Sequence, residues 1–165
     1  MSDLTGLLYY SFCDDELDTV VLRFIMERAR IRNQRKQVTG QLHFENGLFL
    51  QWIEGAEKDI DDVFGYIQND PHHGNIQIVK RNPIPLRQFT GWDMAFSNNE
   101  NTSLLSFMSK NGLSLEDQDD ETAQGLVNFL NGARLDSDQS IAAVRWTERE
   151  PSVTREHYKP SLRFV

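Results

Sequence analysis

The stretch FLQWIEG at residues 49–55 alternates in the manner of a central β-strand. Phe49, Gln51 and Ile53 fall on one face of such a strand, and Leu50 and Trp52 fall on the other. Gln51 interrupts an otherwise apolar face. Burying its amide without hydrogen-bond partners would cost about 1–3 kcal/mol, so we expect a polar group to meet it there. That polar group is where the sequence indicates a functional site.

Bulk composition is typical of one soluble domain, with 165 residues of which 39% are hydrophobic and 25% charged. The net charge of −8 argues against nucleic-acid and anionic-membrane partners, because binding phosphates requires an excess of Lys and Arg. The single cysteine, Cys13, excludes a disulfide framework and a Cys-rich metal site. No signal peptide and no apolar run of roughly 18 residues is present, so we expect a cytoplasmic protein.

Apolar periodicity and turn signals predict an α+β fold. Strands are predicted over residues 6–12, 38–45, 48–54, 75–81 and 92–97. One helix is predicted from about residue 16 to 34, with Asp14 or Asp15 as its N-cap, and another carries the stripe Ile60, Val63, Phe64 and Ile67. Asn46-Gly47 predicts a hairpin. The order β-α-β-β-α-β is ferredoxin-like, here with a fifth strand, and places two helices on one sheet face.

The chain after residue 98 differs in character. Leu104, Leu105 and Met108 predict a short helix. A second helix is predicted from Ala123, Leu126, Val127 and Leu130, ending at Gly132. We expect these C-terminal helices to cover the other sheet face. The predicted divisions are a domain over 1–98, a helical extension over 99–135, and a polar tail over 136–165 whose composition suits partial disorder.

Several polar side chains fall near Gln51 in this arrangement. The first and third strands are neighbours, so Tyr9 can lie beside Gln51. Asn33 lies near the end of the first helix, where it could instead simply end that helix. Ile25 and Ile67 lie on the two helices of the same face and could enclose a flat aromatic ligand. The basic end of the first helix suits the helix dipole or an anionic ligand tail; its cations are Arg28, Arg30, Arg32, Arg35 and Lys36.

With these residues in register the sequence resembles the BLUF domains, blue-light sensors that use FAD. The resemblance covers roughly residues 4–97. It rests on LLYYS with Tyr9, on Asn33 ahead of VTG (38–40), on FLQWIEG with Gln51, and on the stretch from Asp70 to His73. It also includes GWDMAF (91–96), which contains Trp92 and Met94. Each motif alone is weak, whereas the set in register over ninety residues is specific.

The resemblance implies a role for each matching residue. Tyr9 would hydrogen-bond to Gln51 and act as the photochemical electron and proton donor, with Gln51 between Tyr9 and the flavin. Asn33 would bind the other edge of the ring, and Trp92 and Met94 would relay the change in Gln51. The implied cofactor is FAD, with FMN or riboflavin as alternatives. The implied cofactor-binding residues are Tyr9, Ile25, Arg32, Asn33, Phe49, Gln51, Ile53, Ile67, Asp70 and His73.

Three positions depart from the family pattern and concern the flavin tail. Arg32 stands where a second Asn often precedes the motif Asn, and Tyr66 stands where an Arg is sometimes used near the phosphate. His72 stands where another basic residue is found in the family. Asp70 and His73 are expected near the ribityl-phosphate region. The contacts to the tail are therefore expected to differ from those of the family, with the basic cluster of the first helix able to compensate.

The expected function is a short, stand-alone photoreceptor without an enzymatic output domain, because about 65 residues after the sensor are too few for a typical cyclase or phosphodiesterase domain. Output would then go through homo-oligomerisation or a partner protein. Two alternatives remain: a ferredoxin-like interaction module that has lost flavin, and a small enzyme using Glu54 or His73. Otherwise Glu54 is expected to cap the strand-to-helix turn, His43 to lie at the surface, and His72-His73 not to bind metal.

Overall fold

The computed structural model describes residues 4–13, 17, 19–90, 95–97 and 103–141. These residues form the predicted α+β fold. Its elements are, in chain order, β1 (Leu4–Phe12), α1 (Thr19–Arg35), β2 (Thr39–Glu45), β3 (Leu48–Ala56), α2 (Glu57–Gln68), β4 (Gly74–Pro83), β5 (Ala95–Ser97), α3 (Leu104–Asn111) and α4 (Asp120–Ile141). The predicted order β-α-β-β-α-β is confirmed.

The sheet has the strand order β4-β1-β3-β2-β5, so β1 and β3 are central. The pairs β4–β1, β1–β3 and β3–β2 are antiparallel, whereas the three residues of β5 pair in parallel with β2. The predicted hairpin between β2 and β3 is present. Asn46 and Gly47 both have positive φ angles, 49° and 79°, which matches the twist of the flanking strands.

Each face of the sheet is covered by a separate apolar core. On one face Phe49 and Ile53 pack with α1 and α2, to which Leu22, Met26, Ile60, Val63, Phe64 and Ile67 contribute. On the opposite face Leu50 and Trp52 pack under α3 and α4, with Leu104, Met108, Leu126, Val127 and Leu130. The alternation predicted for FLQWIEG is therefore confirmed, and so is the predicted covering of the second face.

The last helix is longer than the sequence indicates. Gly132 was expected to end it, but α4 continues to Ile141. Ala133 is buried in the same core as Leu130, so packing continues past the glycine. That packing outweighs the roughly 1 kcal/mol by which glycine disfavours a helix interior. Residues 136–141 of the predicted polar tail are thus helical, and the rest of that tail lies outside the described residues.

Other boundaries differ by one to three residues. The first helix begins at Thr19 rather than near residue 16, and its proposed caps Asp14 and Asp15 lie outside the part of the chain that the structure describes. Of the fifth strand predicted over 92–97, the structure describes 95–97. No helix among the described residues combines the length and the apolar character needed to cross a membrane.

Candidate functional site

The centre of the site is a contact between the two middle strands. Tyr9 and Gln51 are directly paired residues of β1 and β3, and both side chains face α1 and α2. The Tyr9 hydroxyl donates a hydrogen bond to Oε1 of Gln51. Tyr9 is fully buried and Gln51 is 4% exposed. The polar group that the opening strand required is therefore the phenol of Tyr9.

Burial keeps the phenol of Tyr9 protonated. Removal from solvent raises the pKa of Tyr9 well above its ordinary value, while the charge of Arg32 opposes this and that of Asp70 adds to it. The phenol can thus act as a hydrogen-bond donor throughout the physiological range. The Tyr9 hydroxyl therefore carries a proton that a reaction at this site can transfer.

Aromatic rings surround the Tyr9–Gln51 pair. Phe64 of α2 meets the Tyr9 ring edge-on at 5.4 Å between centroids. The His73 ring lies 4.6 Å from that of Phe49, and its Nδ1 is 2.8 Å from Oγ of Ser11. Burial lowers the pKa of His73, so the imidazole is neutral at pH 7. His73, expected near the flavin tail, therefore lies within the aromatic surroundings of Tyr9 and Phe49.

Asn33 does not end α1. The helix continues to Arg35, and the residue with the left-handed backbone is Gln37, with a φ of 51°. The alternative in which Asn33 serves only as a helix terminator is therefore wrong. Its side chain is 1% exposed, on the helix that covers Gln51. A buried amide at this position calls for a polar partner in the same way as Gln51 does.

The other residues predicted to contact the ring of a bound cofactor lie on β3 and on the helices α1 and α2. Phe49 and Ile53 are fully buried on the face of Gln51. Ile67 of α2 is 5% exposed, and Ile25 of α1 is half-buried. Both isoleucines lie on the helices that pack on this face. The predicted site residues of the first 90 positions thus belong to one face of the sheet and to the helices and loop beside it.

A basic cavity of about 530 Å³ lies between α1 and α2. Its lining is Arg28, Ile31, Arg32, Arg35, Lys36 and Tyr66. The Arg32 guanidinium lies over the Tyr66 ring at 5.1 Å. Burial lowers the pKa of Arg32, an effect that the nearby Asp70 carboxylate opposes. The cavity is therefore a concentration of positive charge in an acidic protein.

Asp70 lies at the end of α2 and interacts mainly with the loop that follows. Its Oδ1 accepts from the backbone N–H of His72 at 2.9 Å and lies 2.7 Å from Nδ1 of that residue. Burial alone would raise the pKa of Asp70, but these contacts with His72 outweigh it and hold the pKa below its ordinary value. No group of three or more His, Cys, Asp or Glu side chains within the described ranges is arranged to hold a metal ion.

Glu54 has a role that the sequence did not reveal. It was expected to cap the turn into α2, but its carboxylate is fully buried and points to the opposite core. It accepts hydrogen bonds from Nε1 of Trp52 at 2.9 Å, the backbone N–H of Gln88 at 2.9 Å, and that of Phe89 at 2.7 Å. Thr39 Oγ1 donates at 3.1 Å. The residue thus fixes the segment after β4 onto the end of β3.

Arg87 adds further hydrogen bonds between the segment after β4 and the end of β3. Its guanidinium donates to the backbone oxygens of Glu54 and Gln37 at 2.8 and 2.7 Å, and to Oγ1 of Thr39 at 2.9 Å. Residues 87–89 are thereby joined to β2, β3 and the α1–β2 loop. No short-range pattern signals this cluster, because its partners are more than thirty residues apart in the chain.

His43 was expected at the surface, and this expectation is wrong. The side chain is 1% exposed because α4 covers its face of β2, where the Phe129 ring meets the imidazole edge-on at 4.8 Å. Its Nε2 lies 3.2 Å from Oε2 of Glu45. Glu45 in turn accepts from Oγ of Ser103 at 2.7 Å and from the backbone N–H of Leu104 at 2.5 Å. This chain of contacts joins β2 to the start of α3.

The proposed relay residues Trp92 and Met94 lie outside the described residues.

The chain is similar to a known protein family and to proteins whose names describe a response to light. A family model described as sensors of blue-light using FAD, BLUF, matches residues 4–95. A photoactivated adenylate cyclase subunit beta of Euglena longa is 31% identical over 123 residues, which is 70% of this chain but 14% of that protein. The blue light- and temperature-regulated antirepressor BluF of Escherichia coli K12 is 33% identical over 86 residues, 52% of this chain and 21% of the antirepressor.

Among solved structures, the dark-state structure of BlrB, a BLUF protein, superposes with a TM-score of 0.66 at 29% identity. The match covers 78% of this chain and 96% of BlrB. The chain therefore spans less than a quarter of the two named sequence relatives and nearly the whole of this structural neighbour.

Proposed function

Because the chain belongs to the BLUF family, the sensors of blue light using FAD, we propose that it is a photoreceptor whose switch is the Tyr9–Gln51 pair. The observation that carries the proposal is the buried hydrogen bond from the phenol of Tyr9 to the amide of Gln51. The surrounding residues supply an apolar slot, two buried amides and a basic rim. The first two suit an isoalloxazine ring, and the basic rim suits the phosphates of FAD.

The residues of this chain fit FAD. Ile25 and Ile67 suit the two faces of a planar ring, and the amides of Asn33 and Gln51 suit its polar edge. The cations of the cavity between α1 and α2 suit the phosphates. Arg32 supports this fit, because its Nε is buried without a hydrogen-bond partner within the described residues. When bound, FAD would supply a strong oxidant on absorbing blue light.

Tyr9 would be the electron and proton donor. A phenol is oxidised far more readily when its proton has an acceptor, and Oε1 of Gln51 is in hydrogen-bond contact with it. The burial that keeps Tyr9 neutral also excludes water from this proton. The amide of Gln51 would therefore be the route by which the proton leaves Tyr9 and returns after each light reaction.

Gln51 would hold the signal after illumination. Its amide carries both donors and acceptors, so rotation or tautomerisation exchanges the group it presents to Tyr9 for the opposite one. A hydrogen bond contributes only about 0.5–1.5 kcal/mol net to stability, so two arrangements of the same amide that exchange one hydrogen bond for another can be close in energy. A new hydrogen bond to the flavin carbonyl would shift the absorption slightly to the red.

The change would leave the site along β3. Glu54 lies three residues after Gln51 and holds the backbone of Gln88 and Phe89. That segment leads directly to Trp92, Met94 and β5, and β5 pairs with β2 beneath α4. We propose that this route carries the rearrangement to the C-terminal helices, which would pass it to a partner protein or to a second copy of the chain. The chain itself would not be an enzyme.

An absorption spectrum before and after blue light tests the proposed function. The purified protein should be yellow, and illumination should move the flavin band to the red by a small amount that reverses in the dark. A colourless protein, or a flavin spectrum that does not change reversibly, would contradict the proposal and favour an interaction module on the same fold.

A further inference from the structure

The outer side of α1 carries apolar side chains that point to solvent. Val20, Phe24 and Ile31 are 68%, 55% and 45% exposed. Their spacing of four and seven residues places them on one side of the helix, opposite Leu22 and Met26, which are buried in the core. Apolar side chains exposed singly are normal, whereas several that share one helix face are typical of an interaction surface.

Two arginines flank this apolar stripe. Arg23 and Arg30 are exposed, and neither lines the cavity between α1 and α2 that is assigned to the phosphates of FAD. Neither makes an ion pair with a carboxylate among the described residues, including Glu27, the single acidic residue of α1. The outer face of α1, which consists of the stripe and these two arginines, is therefore both apolar and basic in a chain whose net charge is −8.

The turn between α3 and α4 has the complementary charge. Residues 116–121, EDQDDE, contain five carboxylates in six exposed positions. Asp120 is paired with Lys80 of β4 at 2.7 Å, and Asp119 accepts from the backbone N–H of Thr122 at the start of α4. Three carboxylates remain without an ion pair in the part of the chain that the structure describes: Glu116, Asp117 and Glu121.

Other charged segments of the chain fit the outer face of α1 less well. Four carboxylates of α2 already form ion pairs within the chain, with Lys36 or with Arg81. They are Glu57, Asp59, Asp61 and Asp62. The sequence after residue 141 has five basic and three acidic side chains, so its net charge has the same sign as that of α1. Of these segments, the turn over 116–121 is the one whose negative charge is available.

The sheet separates the two surfaces within one molecule. The helix α1 packs on the face of Phe49, whereas α3 and α4 pack on the opposite face. The ion pair between Lys80 and Asp120 also holds the turn at β4, which is an edge strand. The turn therefore cannot reach the outer face of α1 in its own copy, but it can reach that of another copy.

We propose that the outer face of α1 binds the acidic turn over 116–121 of a second copy of this chain. Each copy offers both surfaces, so a two-fold dimer would contain the contact twice, and a ring would contain it once per copy. Apolar burial would supply the affinity and the opposite charges the orientation. The contact goes beyond the proposed function, because it would join the C-terminal helices of one copy to the helix that covers the Tyr9–Gln51 pair of the next.

Sedimentation velocity of the purified full-length chain, kept in the dark, tests this proposal. The protein should associate as its concentration rises, and the association should weaken at high salt because the charges are exposed. Phe24→Asp should raise the dissociation constant of the assembly at least about tenfold, since it places a charge in the centre of the contact. Leu86→Asp is the matched control, because Leu86 is 76% exposed and lies outside α1, and it should associate normally.

A variant of the acidic turn tests the other half of the contact. The double variant Glu116→Lys, Asp117→Lys should also lose self-association. When it is mixed with Phe24→Asp, association should return, because one variant still has an intact α1 and the other an intact turn. All the substituted positions are exposed, and circular dichroism spectra should match that of the unchanged protein.

Four results would overturn the proposal. The first is an unchanged protein that stays monomeric at every concentration. The second is an assembly that neither variant weakens, or that Leu86→Asp weakens equally. The third is a mixture of the two variants that fails to associate, since this would show that the two surfaces do not bind each other. The fourth is binding of vesicles containing phosphatidylserine, lost in Phe24→Asp, by a protein that does not self-associate. The reversible red shift is measured separately, so these results leave the photoreceptor proposal untouched.

Discussion

The phenol of Tyr9 and the amide of Gln51 are hydrogen-bonded across the two central strands of the sheet. Each side chain is buried at a position where the strand pattern calls for an apolar residue. The hydrogen bond between them therefore offsets the free-energy cost of removing each polar group from water. Because an amide can present either an oxygen or an N–H to its partner, the contact satisfies both groups and can also exist in a second arrangement.

Replacement of Tyr9 by Phe should abolish the light-induced red shift. The ring would still fill its place against Phe64, but the electron and proton donor would be lost. Flavin should remain bound, since the phenol is one of several contacts. The measurement is the light-minus-dark absorption difference. Tyr10→Phe is the matched control, because Tyr10 lies in the opposite core, and a red shift that persisted in Tyr9→Phe would exclude Tyr9 as the donor.

Replacement of Glu54 by Gln should lower the free energy of unfolding by about 2 kcal/mol. The buried carboxylate accepts four hydrogen bonds, and an amide nitrogen in place of one oxygen would face donors rather than acceptors. Urea denaturation measures the change. Glu116→Gln, at an exposed position, should have almost no effect. An equally small effect of Glu54→Gln would show that this attachment contributes little to the fold.

The stability of the protein should fall as the pH is lowered below neutrality. Burial lowers the pKa of His43, although Glu45 partly offsets this, so the folded state binds the proton less readily than the unfolded state. The stabilising contribution of the neutral imidazole is complete above the unfolded pKa of about 6.5. It is lost as the pH falls from there through the lower pKa of the folded state.

His43→Leu should reduce this pH dependence, as measured by urea denaturation at several pH values from 7.5 to 5. The remaining slope should reflect His73, whose pKa burial also lowers. If the free energy of unfolding depended on pH equally in both proteins, His43 would have the same pKa in the folded and unfolded states.

The sequence was sufficient for the strands, the hairpin and the helices because these depend on local patterns, whereas the Tyr9–Gln51 pair followed from the strand order of a ferredoxin-like sheet. Alternation in β3 and the Asn46-Gly47 turn set the register that places Gln51 opposite Leu42 on β2. The neighbouring β1 then brings Tyr9 to Gln51. Periodicity likewise identified the buried stripe of α2. The turn and the periodic apolar stripes need only short stretches of chain to be recognised.

The errors concern contacts between distant parts of the chain. His43 is buried because α4, some eighty residues later, covers its strand. Glu54 binds residues 88 and 89 rather than the turn that follows it. Gly132 fails to end α4 because tertiary packing outweighs its low helix propensity. In each case the local pattern was consistent with the prediction, and the deciding partner could not be read from it.

Gln51→Leu with a light-minus-dark absorption measurement is the most direct test of the account. Gln41→Leu is the matched control: Gln41 is a fully buried amide on the opposite face of the sheet, with no side-chain hydrogen bond to any described residue. Gln51→Leu should keep its flavin and show no red shift, whereas Gln41→Leu should show the normal reversible shift. A normal red shift in Gln51→Leu would contradict the claim that Gln51 is the switch.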